Sequence, residues 1–260
     1  MTGSPGTPPH LLSHWEEVAH RVRKSSRVAL FLDFDGTLAP IAPRPDQVRF
    51  APSTRRLLGR LANLSRVRVT VISGRRRDEL LRYIAVHKVR CVGLYGWERG
   101  RRSAIPRPAG IALRRVRAIL RENLSVFPGI WVEDKTNGLS VHVLAAKPGM
   151  DKPARRRISF LLRPFRKLLH VRENLRDIDI VPLCVPDKGA ALRRCMEASE
   201  FRGALPVYFG DDYSDEPAFA AARRGVSVLV GEQRPTRARF RLRDPDEVAE
   251  ALLRLEAALE

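Results

Sequence analysis

Cysteine is scarce in this sequence, and its three copies lie far apart. Cys91, Cys184 and Cys195 are odd in number, so they cannot form the fully paired framework of a small disulfide-stabilised protein. Their spacing also matches none of the metal-binding cysteine patterns. The scarcity of cysteine therefore predicts a protein of a reducing compartment, and we expect it to be cytoplasmic.

Long apolar runs are also missing. No stretch approaches the roughly 20 apolar residues that a helix needs to span a bilayer. Residues 1–9 form a proline-containing tail, and no apolar segment of the signal-peptide kind follows it. We therefore expect a disordered tail and no membrane partner.

Acidic residues are too few to balance the basic ones, since the chain has 29 aspartates and glutamates against 48 lysines and arginines. The resulting formal charge of +19 raises the question of nucleic-acid binding. Aromatic residues make up only 7% of the chain, no block interleaves them with basic residues, and no nucleic-acid-binding motif is present. We therefore interpret the charge as a solvated basic surface that secondarily attracts an anionic substrate, and we predict no nucleic-acid partner.

The chain does contain a strongly predicted buried strand. Residues 28–32, Val-Ala-Leu-Phe-Leu, form a continuous apolar run typical of a central strand covered on both faces. Hydrophobic residues make up 44% of the 260 residues, which is enough to bury a full globular core. The order of strands and helices predicts an α/β fold with a parallel sheet.

Two aspartates follow this strand, one residue apart. Asp33 and Asp35 would lie on the same side of a regular strand, where their carboxylates repel unless a cation lies between them. Mg²⁺ prefers such oxygen ligands, Gly36 allows a sharp turn, and Thr37 adds a hydroxyl. The alternative is a solvated Asp-Gly turn, which explains neither Asp33 nor Thr37.

The next predicted strand, Val67 to Ile72, ends in Ser73-Gly74-Arg75 and leads into a helix. A hydroxyl and unpaired backbone N–H groups at a helix start form an anion site. The alternative is that Ser73 only caps the helix. Arg75 would either add a positive charge for the substrate or lie on the helix surface.

A lysine and an acidic cluster occur in the last third of the chain. Lys188 lies at the start of a helix predicted over residues 190–198, where the helix dipole disfavours a cation, so we expect it to neutralise nearby carboxylates. The strand 205–209 ends in Gly-Asp211-Asp212-Tyr-Ser-Asp215-Glu. Asp211 is the best-placed cation ligand, Asp215 would suit the next helix N-terminus, and Asp212 stays a candidate.

The sequence pattern of residues 104–181 predicts an α+β layer that does not continue the parallel sheet. Helices are expected over residues 111–127 and 153–169, and strands over residues 130–135, 139–143 and 178–181. This α-β-β-α-β order indicates an inserted α+β domain. We therefore predict a core of residues 26–103 and 182–260, a tail with a short helix over residues 1–25, and a hinge over residues 99–108.

Four polar residues of the inserted hairpin alternate along its strands and share a face: Glu133, Lys135, Ser140 and His142. Such a face is either solvated or hydrogen-bonded to a ligand such as a sugar. A second polar set, Gly93-Leu-Tyr95-Gly96-Trp-Glu98, follows the predicted third strand. Its two glycines indicate a close approach of backbone.

In chain order, these motifs resemble those of the haloacid dehalogenase-like (HAD) phosphatases. The order is Asp33-Phe-Asp35-Gly36-Thr37, then Ser73-Gly74-Arg75, then Asp187-Lys188-Gly189, then Gly210-Asp211-Asp212-Tyr-Ser-Asp215-Glu. The last motif, Gly93-x-x-Gly96-x-Glu98 and Glu133-x-Lys135 with His142 are similar to those of trehalose-phosphate phosphatases. The resemblance implies a Rossmann-like core carrying an inserted cap of the C2B type.

It also implies the chemistry. The family hydrolyses trehalose 6-phosphate with Mg²⁺, through an aspartyl phosphate on Asp33, with Asp35 as general acid and base and Lys188 as a catalytic cation. The phosphate ligands would be Gly36, Thr37, Ser73, Gly74, Arg75 and Lys188. Substrate contacts would come from Tyr95, Gly96, Glu98, Glu133, Lys135, Ser140 and His142. Metal ligands would come from Asp33, Asp35, Asp211, Asp212 and Asp215. We expect a monomer acting on a small sugar phosphate.

Three positions depart from the family pattern. Tyr95 replaces a common histidine, Leu144 replaces an arginine after the cap histidine, and Ile180 and Asp179 lie where a cap glutamate is usual. Other substrates therefore stay open, namely the phosphates of mannosylglycerate, glucosylglycerol or sucrose. A non-catalytic module that binds anions or nucleic acid is the alternative from another class.

Overall fold

The computed structural model describes residues 7–98 and 104–260, which form two compact units. The first unit contains residues 7–98 and 186–260, and the second contains residues 104–185. The second unit extends past the predicted boundary at residue 181, because Leu183 and Val185 donate backbone hydrogen bonds to Leu168 and Pro182. Residues 99–103 of the predicted hinge lie outside the described residues.

The strands are β1 (Val28–Leu32), β2 (Val67–Ile72), β3 (Arg90–Val92), β4 (Trp131–Asp134), β5 (Leu139–His142), β6 (Leu169–Glu173), β7 (Asp177–Pro182), β8 (Leu205–Gly210), β9 (Val226–Val230) and β10 (Phe240–Leu242). The helices are α1 (Trp15–Lys24), α2 (Pro52–Asn63), α3 (Arg77–Ile84), α4 (Arg107–Leu124), α5 (Asp151–Leu162), α6 (Lys188–Met196), α7 (Glu216–Ala221) and α8 (Pro245–Leu259). Within residues 7–98 and 104–260, no helix combines the length and apolar composition needed to cross a membrane.

The first unit is built on a six-stranded parallel sheet in the order β10-β9-β8-β1-β2-β3. Strand β1 is central, and all five of its residues are buried. Its start is in register with those of both neighbours, since Val28 pairs with Val67 of β2 and with Leu205 of β8. Because parallel strands end at the same edge, the residues that follow β1, β2 and β8 come together there.

Side chains of β1 alternate between two apolar layers, as strand geometry requires. Leu30 packs on one face with residues of α1, α2, α3 and α8. Phe31 packs on the other face with residues of α6 and α7. Each fully buried side chain of this size contributes about 1.5–3 kcal/mol. The helices on both faces explain why the strand sequence is apolar throughout.

The N-terminal segment differs from the prediction of a disordered tail. Residues 1–6 lie outside the described residues, but the Pro9 carbonyl accepts a hydrogen bond from the Arg241 amide, and Leu11 N–H donates to the Arg241 carbonyl, both at 2.9 Å. Helix α1 packs on α8 and belongs to the first unit. The N-terminal segment pairs with β10 because the outer side of this edge strand has backbone N–H and C=O groups that no other strand of the described sheet pairs with.

The second unit has a four-stranded antiparallel sheet in the order β4-β5-β7-β6. Apolar residues of α4 and α5 pack on one face of it. Strand β6 is absent from the predicted α-β-β-α-β order: its first residue, Leu169, ended the predicted helix 153–169, and residues 170–173 were assigned to no element. Helix α5 instead ends at Leu162, and the following turn contains Pro164, which lacks the N–H that a helix interior requires.

Candidate active site

Asp33 is the first residue after β1, and its carboxylate is buried. Its amide donates to the Phe209 carbonyl at 2.9 Å, which continues the sheet beyond the strand end. Burial raises the pKa of Asp33 to about 7, while the Lys188 ammonium opposes that rise and the Asp215 carboxylate adds to it. The sequence therefore folds to place a buried carboxylate beside a cation.

Lys188 supplies that cation from the first turn of α6. The helix starts here because the Asp187 side chain caps it, accepting a hydrogen bond from the Ala190 amide at 2.6 Å. The Lys188 ammonium lies 2.9 Å from Asp33 and 2.8 Å from Asp215. Burial disfavours its charge, but these carboxylates outweigh burial and raise the pKa of Lys188 above its usual value.

Asp215 organises the loop after β8. One of its oxygens accepts from Lys188 and from the Tyr208 hydroxyl, at 2.8 and 2.5 Å. The other accepts from the amides of Asp211 and Asp212, at 3.2 and 2.9 Å. Asp212 in turn caps a short turn by accepting from the Tyr213 amide at 2.6 Å. The sequence did not indicate Tyr208, because a tyrosine inside a buried strand is usually core.

Three carboxylates come together at this edge of the sheet. Asp33, Asp211 and Asp215 each place an oxygen within 4.8 Å of the others, and all three are buried. Oxygen ligands of this kind suit a hard divalent cation. The carboxylate of Asp35, whose backbone carbonyl is the group predicted to bind the metal, is hydrogen-bonded to Arg75.

The turn after Asp35 fits closely against this cluster. Gly36 has a φ of +82°, and a Cβ atom there would lie 2.1 Å from an Asp211 carboxylate oxygen. Only glycine therefore allows the turn and Asp211 to approach each other. The Thr37 hydroxyl is buried and has no hydrogen-bond partner among the residues described.

Arg75 forms a two-pronged ion pair with Asp35. Its Nε and Nη2 atoms each lie 2.7 Å from a different Asp35 carboxylate oxygen. The Arg75 side chain is only 8% exposed, against 33% for Asp35, so it does not lie on a helix surface. Its charged end contacts the Asp35 carboxylate.

Ser73 does not cap α3, because that helix begins three residues after the Ser73-Gly74 pair, at Arg77. The Ser73 hydroxyl instead accepts a hydrogen bond from the Arg75 amide at 3.1 Å. Gly74 is required by packing, since a Cβ atom there would lie 2.6 Å from the Tyr95 hydroxyl oxygen. Ser73 and Gly74 thus form a tight turn beneath Tyr95.

The segment 93–98 supports this turn. Tyr95 is buried with a φ of +59° and donates its amide hydrogen to the Ser73 carbonyl at 3.0 Å. Gly96 lies against Ala191 of α6. The Glu98 carboxylate accepts a hydrogen bond from the Arg77 amide at 2.8 Å. Glu98, predicted to bind substrate, is therefore placed at the N-terminus of α3, where a carboxylate is stabilised.

In the second unit, the predicted polar residues do share one face of the sheet. Glu133 is directly opposite Ser140, and Trp131 is directly opposite His142. His142 Nε2 lies 2.7 Å from a Glu133 oxygen, and the Trp131 ring stacks on the His142 ring with centroids 4.1 Å apart. Burial raises the pKa of Glu133, but the His142 hydrogen bond and the charges of Lys135 and His142 together outweigh burial, so the net shift is downward.

The same face carries a buried ion pair. Lys135 Nζ lies 3.2 Å from an Asp179 oxygen, and Asn174 donates to the other Asp179 oxygen at 3.0 Å. The buried Ser140 hydroxyl has no hydrogen-bond partner within the described part of the chain. Asp179 thus contacts a predicted substrate residue directly. Asn174 could not be predicted, because it follows the unpredicted strand β6.

Sequence comparison identifies relatives along most of the chain. The family model described as trehalose-phosphatase matches residues 31–246. A protein of Oryza sativa subsp. japonica named probable trehalose-phosphate phosphatase 4 is 29% identical over 262 residues, covering 95% of this chain and 70% of the relative. An Arabidopsis thaliana protein named probable trehalose-phosphate phosphatase E is 27% identical and covers 95% of this chain and 75% of the relative.

A solved structure has the same fold. The C-terminal domain of C. albicans trehalose-6-phosphate phosphatase superposes with a TM-score of 0.84 and 22% identity, covering 98% of this chain and 99% of that one. The neighbouring solved structures include hydrolases of the haloacid dehalogenase-like type, in agreement with the parallel sheet and separate second unit found here. The chain therefore belongs to the trehalose-phosphatase family.

Proposed function

We propose that this protein is a Mg²⁺-dependent phosphatase that hydrolyses trehalose 6-phosphate to trehalose and phosphate. The observation that carries the proposal is the buried Asp33 carboxylate, with the Lys188 ammonium 2.9 Å away and an Asp211 oxygen within 4.8 Å. A nucleophile, a fixed cation and a second carboxylate are the groups that phosphoryl transfer requires. Family membership supports the choice of a sugar phosphate.

The proposed reaction has two steps at Asp33. In the first, an Asp33 oxygen bonds to phosphorus while the bond from phosphorus to the sugar oxygen breaks, and Asp35 gives that oxygen a proton. In the second, Asp35 takes a proton from water, whose oxygen bonds to phosphorus. The bond from phosphorus to Asp33 then breaks, which releases phosphate and restores the carboxylate.

Phosphate oxygens would be held by Lys188, Thr37 and Ser73. The buried Thr37 hydroxyl, which has no hydrogen-bond partner among the residues described, supports this proposal. A hydroxyl already removed from water gains the partner that it lacks when a phosphate oxygen binds. Lys188 is fixed before substrate arrives, so it stabilises developing charge without reorganising.

The donor set at Asp33 and Asp211 fits Mg²⁺, and we propose these two carboxylates and the main-chain carbonyl of Asp35 as its ligands. When bound, the ion would neutralise charge on the phosphoryl group. Asp212 and Asp215 would support the site indirectly, because their oxygens accept hydrogen bonds from backbone N–H groups of the loop.

Sugar hydroxyl groups would bind to the polar face of the second unit. Glu133, Lys135 and His142 present charged or ring-nitrogen groups there, and the buried Ser140 hydroxyl has an unfilled hydrogen bond. Two further properties complete the proposal. The enzyme would be a monomer, and it would be cytoplasmic, since none of its three cysteines is in a disulfide.

Leu144 favours a second candidate substrate class. This residue lies two positions after the end of β5, where the family pattern has arginine, and its side chain is exposed. A leucine cannot donate the hydrogen bonds of a guanidinium. The phosphate of mannosylglycerate, glucosylglycerol or sucrose would then be the substrate, with unchanged chemistry at Asp33.

A panel of these four sugar phosphates tests the proposal. The purified protein is incubated with each compound and Mg²⁺, and phosphate release is measured with Asp33→Asn and a chelator as controls. The highest kcat/KM with trehalose 6-phosphate supports the first proposal, and preference for another member supports the second. No Mg²⁺-dependent release from any member, with salt-sensitive nucleic-acid binding, would favour the non-catalytic alternative.

A further inference from the structure

We propose that Arg75 is a positioning residue that fixes the orientation of Asp35 and does not bind the phosphate. The proposal rests on the proposed function, because it gives Asp35 a partner for its role as general acid and base. In the first step of the reaction, Arg75 would affect only the protonation of the sugar leaving group by Asp35.

The geometry of the ion pair orients the Asp35 carboxylate. Each Asp35 carboxylate oxygen accepts one hydrogen bond from Arg75, both at 2.7 Å. Two parallel charge-assisted bonds fix the plane of a carboxylate as well as its distance. Lysine could not reproduce this contact, since its ammonium acts as a single point charge.

The Arg75 guanidinium itself cannot turn away from Asp35. It lies over the rings of Phe34 and Tyr83, 5.4 and 5.2 Å from their centroids. Its Nη2 atom also donates to the Pro45 carbonyl at 3.0 Å, and the Tyr83 hydroxyl donates to that same carbonyl at 3.3 Å. Rings and backbone therefore hold Arg75 in one pose, as a supporting residue requires.

The side chains of Arg75 and Asp35 differ in their exposure to solvent. The Asp35 side chain is 33% exposed, whereas that of Arg75 is 8% exposed, so an incoming group reaches Asp35 first. The Nε and Nη2 atoms of Arg75 are bonded to Asp35 and Pro45, and Nη1 lies 3.8 Å from a Glu79 oxygen. A phosphate could therefore use Nε or Nη2 only by displacing those bonds. Breaking a charged pair of this kind leaves a partly buried carboxylate without its cation, which is costly.

A positioning role has a specific kinetic consequence. A sugar alkoxide is a poor leaving group and needs the proton that Asp35 delivers, whereas 4-nitrophenolate leaves without one. Attack by water on the aspartyl phosphate needs Asp35 with either substrate. Loss of Arg75 should therefore slow both steps for a sugar phosphate, but only the second step for 4-nitrophenyl phosphate.

The experiment compares Arg75→Met and Arg75→Lys with wild type, using the best sugar phosphate of the panel and 4-nitrophenyl phosphate. The matched control is Arg90→Met, because Arg90 also pairs with a carboxylate, Glu200, and lies 5.4 Å from the centroid of the Phe201 ring. Steady-state kcat/KM, the nitrophenolate burst and inhibition by inorganic phosphate are measured. The same set is repeated in an Asp35→Asn background.

For Arg75→Met we expect kcat/KM to fall at least about 100-fold with the sugar phosphate and less than about threefold with 4-nitrophenyl phosphate. A burst of nitrophenolate should precede a slow steady state. The loss of kcat/KM in Arg75→Lys should be intermediate, because lysine keeps the positive charge but cannot form the two parallel hydrogen bonds. In the Asp35→Asn background, either Arg75 substitution should add less than about threefold, since residues that act as one unit are not additive.

Three results would overturn the proposal. Equal loss of kcat/KM on both substrates with weaker phosphate inhibition would make Arg75 a phosphate ligand. Full additivity of the Arg75 and Asp35→Asn effects would show that the two residues act independently. Unchanged sugar-phosphate kinetics in Arg75→Met would show that Arg75 has no role in the reaction. If Arg75→Met fails to fold, the same comparison is made with Arg75→Lys, alone and in the Asp35→Asn background. An inactive wild type would instead contradict the proposed function, which keeps the two failures distinct.

Discussion

The Lys188 ammonium lies between two buried carboxylates, 2.9 Å from Asp33 and 2.8 Å from Asp215. It therefore joins the residue after β1 to the loop after β8. One cation thus supports the proposed nucleophile on one side and the loop that carries Asp211 on the other.

Replacing Lys188 with methionine should reduce both activity and stability. We expect kcat for phosphate release to fall at least about 100-fold, because one fixed charge donor at the phosphoryl group is lost. Removing one partner of a buried ion pair also costs about 3–5 kcal/mol, which urea unfolding would measure. Lys24→Met is the control, since Lys24 is exposed at the end of α1. Wild-type turnover in Lys188→Met would contradict this account.

Tyr208→Phe should affect stability more than catalysis. The substitution keeps the ring and removes only the hydroxyl that donates to Asp215 at 2.5 Å. A buried hydrogen bond to a charged acceptor contributes about 1.5–3 kcal/mol, so the free energy of unfolding should fall by that amount. Phosphate release should fall less than about tenfold, because Lys188 and two amides still hold Asp215. An unchanged unfolding free energy would show that Tyr208 contributes nothing to the loop.

Gly36→Ala should remove activity through a steric contact with Asp211. The new Cβ atom would lie 2.1 Å from the Asp211 oxygen, so Asp211 or the turn must move. Gly203→Ala is the matched control, because Gly203 has a similar φ of +73° and nothing within 4 Å of the added atom. Both variants should lose about 1–2 kcal/mol from left-handed backbone strain. Only Gly36→Ala should lose Mg²⁺-dependent phosphate release, and equal activity of the two variants would refute the contact.

Glu247 predicts a pH dependence of stability. Burial raises its pKa, but hydrogen bonds from the Arg243 backbone, the Arg243 side chain and His10 outweigh burial, so the folded-state pKa lies below the ordinary value of 4.5. A lowered carboxyl pKa stabilises the fold above the unfolded-state pKa and ceases to do so as pH falls through the folded-state pKa.

Glu247→Gln should therefore be less stable than wild type at pH 7, and the difference should shrink below about pH 4.5. Urea unfolding at pH 7, 6, 5 and 4 measures it. Glu250→Gln, which removes one member of an exposed ion pair with Arg254, is the control and should show little difference at any pH. A difference that grows on acidification would have the wrong sign for this explanation.

Local sequence pattern was sufficient for the elements that carry the motifs. The predicted bounds of β1 and β2 agree with the structure, because each has a strong apolar pattern that ends at a polar residue. The position of Lys188 at a helix start, where a cation is unfavourable, was enough to predict that it neutralises nearby carboxylates. In the structure, the Asp33 and Asp215 carboxylates beside it explain this position.

Contacts between distant segments could not be predicted in the same way. The pairing of Arg75 with Asp35 joins residues 40 positions apart, and neither side chain has a local pattern that specifies its partner. Strand β10 is only three residues long, and most of β6 follows the predicted helix 153–169 without having been predicted as a strand. Such features depend on tertiary packing, which overrides local propensity.

The central claim is that Asp33 becomes phosphorylated during turnover, and chemical trapping tests it most directly. The enzyme is mixed with the best sugar phosphate and Mg²⁺, quenched, and treated with borohydride, which reduces an aspartyl phosphate to homoserine. Peptide mass spectrometry then locates the reduced residue. We expect homoserine at position 33, dependent on substrate and absent from Asp33→Asn. Reduction at another carboxylate, or none at position 33 during active turnover, would contradict the account.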